Sequence, residues 1–383
     1  MLASRQAGGL RWLPAKLATK TLQLRSRSQS ASTRAANGAS WTLGRGMIEI
    51  VISQGSTMQA VRNTTHGGPR LLELGTVPVP VRFPGQVLVE VHAAGVAYPD
   101  VLQSRGEYQL RIPTPFTIGS EFAGVVVDAD PESGFIPGAR VLGVAGSGTF
   151  AEYVVTPNDR VLPLPDDVSF VQGAAMPINT LSAEFALGER GNLQAGETVL
   201  VHGAAGGLGV ALTQQAKLRG AHVIAVASTP QKRQLATDVG ADHVIAPHDF
   251  LSETRRITGG RGVDMVLDPV GGERFTDSLR ALTTRGRLLV LGFTGGSIPT
   301  VRVNRLLLTN TTIVGVAWEG LMPNSTVSLP DQWARLYPDV ARGALMPIVQ
   351  KLVPMAQAAE AVAALDERRA LGKIVLVVRE ESR

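Results

Sequence analysis

The chain contains no cysteine. That absence removes disulfide scaffolds, thiolate nucleophiles, iron–sulfur clusters and every cysteine-based zinc site. No apolar run approaches the ~18 residues that a membrane-crossing helix needs, so no membrane partner is expected. Charged residues are sparse, 18% against 44% hydrophobic, which excludes wholesale disorder and leaves ample material for a buried core. Histidine is scarce too, six scattered in 383 residues. His202, at the end of an apolar run, reads as a packed core residue rather than a ligand or base. Gly-x-Ser-x-Gly, Ser-x-x-Lys and His-Glu-x-x-His patterns are all missing, so hydrolase and metalloprotease chemistry drop out.

Positive charge is present but misplaced for a polyanion binder. Of the 37 basic and 32 acidic residues, eight basic ones and only Glu49 fall in 1–57, which leaves 58–383 with a net of −2. No nucleic-acid partner is expected of so neutral a body. Residues 1–46 are rich in Arg, Ser, Ala and Gly without one acid, and Leu10, Leu13 and Leu17 recur at helical spacing. Residues 1–57 therefore read as a disordered leader: an upstream start, which goes with a cytoplasmic protein, or a transit peptide, which goes with a mitochondrial one.

From Met58 the chain becomes strand-forming. Met58-Gln59-Ala60-Val61, Val87–Val91, Gly124–Val127 and Arg140–Val144 are short apolar runs separated by turns such as Phe83-Pro84-Gly85 and Ile136-Pro137-Gly138, the rhythm of a β-rich unit. From Glu197 to Arg256 the rhythm becomes strand, helix, strand, the mark of a parallel sheet. Thr198–His202 and His222–Ala227 begin it, Asp242–Ile245, Val263–Asp268 and Arg287–Leu291 continue it, and Thr312–Val316 forms its edge. After Trp318 the pattern is helical, and Lys373–Val378 closes the chain as a strand returning to the first unit.

The first βα turn carries chemistry. In Ala204-Ala205-Gly206-Gly207-Leu208-Gly209 the missing Cβ atoms let backbone approach a pyrophosphate, while the new helix offers unpaired N–H groups and its positive end. Ala205, Gly206, Gly207 and Leu208 are thus candidate cofactor-binding residues. An NAD site ends its second strand in Asp or Glu, which accepts from the ribose 2′-hydroxyl. Here Ala227 stands there, followed by Ser228, Thr229, Lys232 and Arg233. Hydroxyls and a cation suit a 2′-phosphate, so NADPH is the expected cofactor, held in part by Ser228, Thr229 and Lys232.

These segments, with Gly95-Val96-Ala97-Tyr98-Pro99-Asp100, Pro115–Gly124 and Asn304–Leu308, resemble the medium-chain dehydrogenase/reductase superfamily, and within it the zinc-free quinone oxidoreductase branch related to zeta-crystallin. The resemblance covers Met58 to Val378. It implies an α/β fold: a GroES-like catalytic domain over 58–178, a doubly wound Rossmann domain over 179–318, and a return of 319–383 to the catalytic domain. Zinc alcohol dehydrogenases have Cys at Ala97 and His at Ser120, so no catalytic zinc is expected. Two features of some relatives are absent, an Asn near Ala97 and a Tyr near Leu102. A Tyr that others use beside the 2′-phosphate falls at about Pro247. The resemblance further places Asn179 and Ser182 beside the nicotinamide and Gly292, Phe293 and Thr294 at its carboxamide, with Tyr98 as a substrate-side wall or proton donor. Asp100 and Glu121 read as structural charges.

The implied activity is NADPH-dependent hydride transfer to a small-molecule quinone or conjugated carbonyl. The alternatives are an enoyl-thioester reductase and a non-enzymatic NADPH- or RNA-binding protein. The apolar edge strand at 312–316 leads us to expect a homodimer.

Overall fold

In the computed structural model, which describes residues 55–318 and 328–379, the apolar runs between proline–glycine turns become strands. They are β1 (Thr57–Asn63), β2 (Leu72–Pro78), β3 (Gln86–Val96), β4 (Phe116–Thr117), β5 (Glu121–Ala129), β6 (Arg140–Val144), β7 (Tyr153–Pro157) and β8 (Val161–Pro163). A helix the strand rhythm conceals, α1 (Tyr98–Arg105), interrupts them. Its start is encoded by Pro99 in the first turn and by Asp100, whose carboxylate reaches back to the Ala97 N–H.

After α2 (Phe170–Ala174) and α3 (Pro177–Phe185) the alternation begins: β9 (Thr198–His202), α4 (Gly207–Leu218), β10 (His222–Val226), α5 (Pro230–Asp238), β11 (His243–Ile245), α6 (Phe250–Ile257), β12 (Val263–Asp268), α7 (Phe275–Ala281), β13 (Leu282–Val290), α8 (Asn304–Thr309) and β14 (Thr312–Gly315). The six strands are all parallel, in the order β11-β10-β9-β12-β13-β14. Counted from β9 this is 3-2-1-4-5-6, a doubly wound sheet whose winding reverses between β9 and β12. Both faces are covered, which is why β9 is apolar without alternation. Val199 and Val201 belong to one core cluster, and Leu200 between them to the other.

The last segment holds α9 (Leu329–Ala341), β15 (Val349–Pro354), α10 (Ala358–Asp366) and β16 (Lys373–Val377). β15 corrects the helical reading after Trp318. Gln350, Lys351 and Leu352 are all exposed on this edge strand, so it has no apolar run to announce it. β16 returns antiparallel to β3, pairing Ile374 with Val96. The resulting sheet runs β15-β16-β3-β5-β6-β8 with β7 also on β3, and β2-β1-β4 form a small third sheet. Apart from residues 55–57, the leader lies outside the described residues.

Candidate active site

The turn between β9 and α4 stands at the carboxyl edge of the parallel sheet, beside the point where its winding reverses. Gly203 takes a left-handed φ of 61°. The Ala204 N–H donates to the Val226 carbonyl (3.2 Å) and the Gly206 N–H to the Gly203 carbonyl (3.0 Å), which folds the turn tightly. Gly206 then caps a 12-residue helix without any side-chain cap. The first N–H groups of α4 have no partner within the helix, and its dipole adds positive potential there. A Cβ on Gly209 would collide with the Gly203 carbonyl and the Ala204 backbone, so the helix can start this close only with glycine. The site fits the phosphates of a dinucleotide: donors, field and clearance coincide.

At the end of β10, Ala227 is buried and its N–H donates to the Ile245 carbonyl (3.1 Å). Ser228 and Thr229 are exposed beyond it. The Thr229 hydroxyl caps α5, accepting from the Lys232 N–H (3.2 Å). The Lys232 ammonium donates to the carbonyl of Arg368 at 3.3 Å, and the Arg233 guanidinium to the carbonyl of Ser228 at 3.0 Å. Sequence reasoning missed Arg368. It sits between α10 and β16 in a left-handed conformation (φ 58°), with a side-chain nitrogen near Gly296. Nothing local marks it, because it is 136 positions from Lys232 and only the return of the chain brings it there.

On the opposite side of the turn, Asn179 on α3 presses its amide against Gly207, where a Cβ would overlap it. Ser182 follows one helical turn later, half-buried. The loop after β13 wraps the neighbouring turn, with both the N–H and the hydroxyl of Thr294 donating to the Pro269 carbonyl (3.2 and 3.0 Å). Gly292 faces that same carbonyl, and Phe293, 37% exposed, stands against Gly271. Pro269 and Val270 in turn touch the space beside Gly203. Thus the glycine turn, 269–271 and 292–295 form one contiguous rim. Tyr98 opens α1, half-buried and packed against the hydrophobic cluster to which β3 and β5 contribute.

Beneath the rim lies buried polar chemistry. Asp100 is fully buried, accepting from the Ala97 N–H and the Ser120 hydroxyl, each at 2.7 Å. Burial pushes its carboxyl up to about 7 despite those two hydrogen bonds and the nearby Lys373 ammonium. Ala97 has no donor atom, and the Ser120 hydroxyl is committed to Asp100, so this pair does not fit a zinc ion. Among the described residues no cluster of three or more His, Cys, Asp or Glu could hold a metal. His202 is fully buried, bonded through Nε2 to the Ser278 hydroxyl (2.8 Å) and edge-on to Phe250. Burial pushes it down to about 4 and keeps it neutral.

The Alcohol dehydrogenase GroES-like domain family matches residues 83–166, and the Zinc-binding dehydrogenase family matches 207–333. "Quinone oxidoreductase-like protein 2" of Bos taurus is 33% identical over 306 residues, 79% of this chain and 87% of that protein. "Quinone oxidoreductase" of Mus musculus is 32% identical over 315 residues, 79% of this chain and 92% of that one. A mycobacterial protein solved in complex with NADPH superposes with a TM-score of 0.78 at 31% identity, over 84% of this chain and all of its own. A doubly wound sheet with a glycine turn at its reversal point, joined to a GroES-like β unit, defines the class: an oxidoreductase built around a dinucleotide. The chain belongs to the medium-chain dehydrogenase/reductase superfamily, in its quinone oxidoreductase-like branch.

Proposed function

We propose that the protein is an NADPH-dependent reductase that passes hydride to quinones or related conjugated carbonyls without zinc. Two observations carry this reading: the cradle at Gly207 is bordered by Asn179, and the end of β10 offers hydroxyls and cations where an NAD site has a carboxylate. The NADPH complex of a relative that superposes over 84% of this chain supports it. Ala205, Gly206, Gly207 and Leu208 would hold the pyrophosphate. Ser228, Thr229, Lys232 and the newly found Arg368 would take the 2′-phosphate. Asn179, Ser182, Gly292 and Phe293 would orient the nicotinamide, and Tyr98, held against the core at the start of α1, would serve as a substrate-side wall. Bound there, the cofactor supplies the hydride.

The protein's own part is to align the rings and exclude water. An acceptor whose electronics stabilise the added charge needs no metal, whereas a simple ketone would need a Lewis acid or strong proton donor. That argument, with Ala97 and Ser120 at the ligand positions, favours quinones and enones. We assign 58–178 to the catalytic domain, 179–318 to the cofactor domain and 319–383 to the return, in a cytoplasmic protein. Among the described residues β14 is the outer strand of its sheet with no further partner, and Ile298, Val303, Leu307 and Leu308 in the segment leading to it are 73–77% exposed; both support a homodimer through that edge. Steady-state NADPH oxidation against quinone and enoyl-thioester panels is the test. Turnover of quinones or enones supports the proposal; turnover of enoyl thioesters alone, or tight NADPH binding with no acceptor, overturns it.

A further inference from the structure

Two charged residues outside the set above are buried directly under the cradle. Glu121 on β5 is fully buried and Lys373, the first residue of β16, is 4% exposed. The Lys373 ammonium donates to one Glu121 carboxylate oxygen and to the Val96 carbonyl (2.8 Å). The other Glu121 oxygen, Oε2, accepts from the Ile178 N–H at 2.8 Å. Ile178 is the second residue of α3 and precedes Asn179.

The same lysine meets the phosphate turn. The N–H of Gly372 donates to the Ala205 carbonyl (2.8 Å), while the Lys373 stem passes over Gly207, its Cδ 2.9 Å from where a Cβ would stand. Even Gly95 serves the arrangement: a Cβ there would lie 2.5 Å from the Glu121 carboxylate. A single buried ion pair therefore ties four strands of chain together: β3, β5, the start of α3 and the start of β16.

We infer that the Glu121–Lys373 pair is a positioning device, which sets Asn179 and α3 against the glycine turn so that the dinucleotide meets a preformed cradle. The inference rests on the reading that this turn binds a dinucleotide. The pair is neutral as a unit and engaged with protein groups, so its charge is spent on geometry. Geometry of this kind matters because a displacement of about 1 Å at such a site costs up to about a hundredfold in rate. Removing Lys373 alone leaves a buried carboxylate unpaired, and removing Glu121 alone leaves a buried ammonium; either change frees α3 from the turn.

The test uses the full chain and three variants: Lys373→Met, Glu121→Gln and the double Lys373→Met/Glu121→Gln. Melting temperature reports folding. Nicotinamide fluorescence titrations with NADPH and with NADH report binding without turnover. Each single variant is expected to melt lower. The double variant buries neither charge of the pair and is expected to recover most of that loss. All three are expected to bind both dinucleotides more weakly by the same factor, about tenfold or more, with altered emission from the bound nicotinamide. A folded double variant with wild-type affinity and emission overturns the inference while leaving the proposed function standing. A loss confined to NADPH also overturns it, since that would mark an action on the 2′-phosphate. A wild type that binds neither dinucleotide overturns the function and this inference together.

Discussion

Replacing Lys232 with alanine tests cofactor choice at a single atom. Among the described residues the ammonium makes one hydrogen bond, at 3.3 Å to the Arg368 carbonyl and at an exposed position, and no salt bridge. Its loss is therefore expected to change folding by no more than about 0.5 kcal/mol. Binding of a 2′-phosphate is another matter. A hydrogen bond between charged partners contributes about 1.5–3 kcal/mol, and each 1.4 kcal/mol is about tenfold in affinity. Lys232→Ala is therefore expected to weaken NADPH by about ten- to a hundredfold. NADH lacks the phosphate and is expected to bind unchanged. Arg368→Ala is expected to behave in the same way, because its backbone meets Lys232 and its side chain lies across the same mouth toward Gly296. Ala227→Asp is expected to work in reverse, repelling the phosphate and offering the ribose an acceptor. The assay is the ratio of kcat/KM for NADPH over NADH in the wild type and each variant. A wild-type ratio that already favours NADH, or equal losses for both cofactors in Lys232→Ala, refutes the reasoning.

Four further outcomes are expected. Gly209→Ala drives a Cβ into the Gly203 carbonyl and the Ala204 backbone; we expect about 1–3 kcal/mol of lost stability with NADPH binding abolished, and a variant that melts and binds like wild type removes the close-packing argument. His202, held down to about 4 by burial, costs stability as pH falls from its unfolded value toward 4; its ring resonances are expected not to titrate above pH ~5, and a midpoint near 6.5 refutes its neutral, buried role. Protein purified without an affinity tag is expected to contain no stoichiometric zinc, since Ala97 has no ligating atom and Ser120 is bonded to Asp100; one zinc per chain with activity lost on chelation contradicts this. Sedimentation is expected to show a dimer, disrupted by charged substitutions at Leu307 and Leu308, both 77% exposed; a monomer at all concentrations removes the edge-pairing argument.

How much of this was legible depends on whether the signal is local. The parallel strands announced themselves because burial on both faces demands uninterrupted apolar runs, and Thr198–His202 and Val263–Asp268 have the bounds read from sequence. The glycine turn was legible because a close approach needs a missing Cβ. Edges were less so: β15 keeps only Val353 buried, and α1 begins inside a run of strand-like residues. Arg368 and Lys373 were illegible as site residues. Both reach the cradle only through the return of the last strand to β3, and no spacing rule spans the distance from Lys373 to Val96, 277 positions.

Asp100 shows how a buried charge can be tested against its own environment. Its carboxyl is pushed up to about 7, with burial as the largest cause. The folded state therefore holds a proton that the unfolded chain, titrating near 4, has already released. Between about pH 4 and 7 the folded state binds more protons than the unfolded one, so this residue's contribution to stability falls as pH rises through that window and is level above it. The surface carboxylates work in the opposite sense: Asp264 and Glu367 are held below the usual range by Arg261 and Arg369, and lose stability as pH falls. The whole-protein melting curve mixes the two. The difference between Asp100→Asn and wild type isolates one residue, because asparagine keeps the volume and can still accept from the Ala97 N–H. At pH 4 both side chains are neutral and the two proteins should differ least. From there to pH 8 the variant's melting temperature should rise relative to wild type, as wild type comes to bury a charge that asparagine never carries. A flat difference across this range means that Asp100 is already ionised throughout, and that its two hydrogen bonds, rather than its burial, set its protonation.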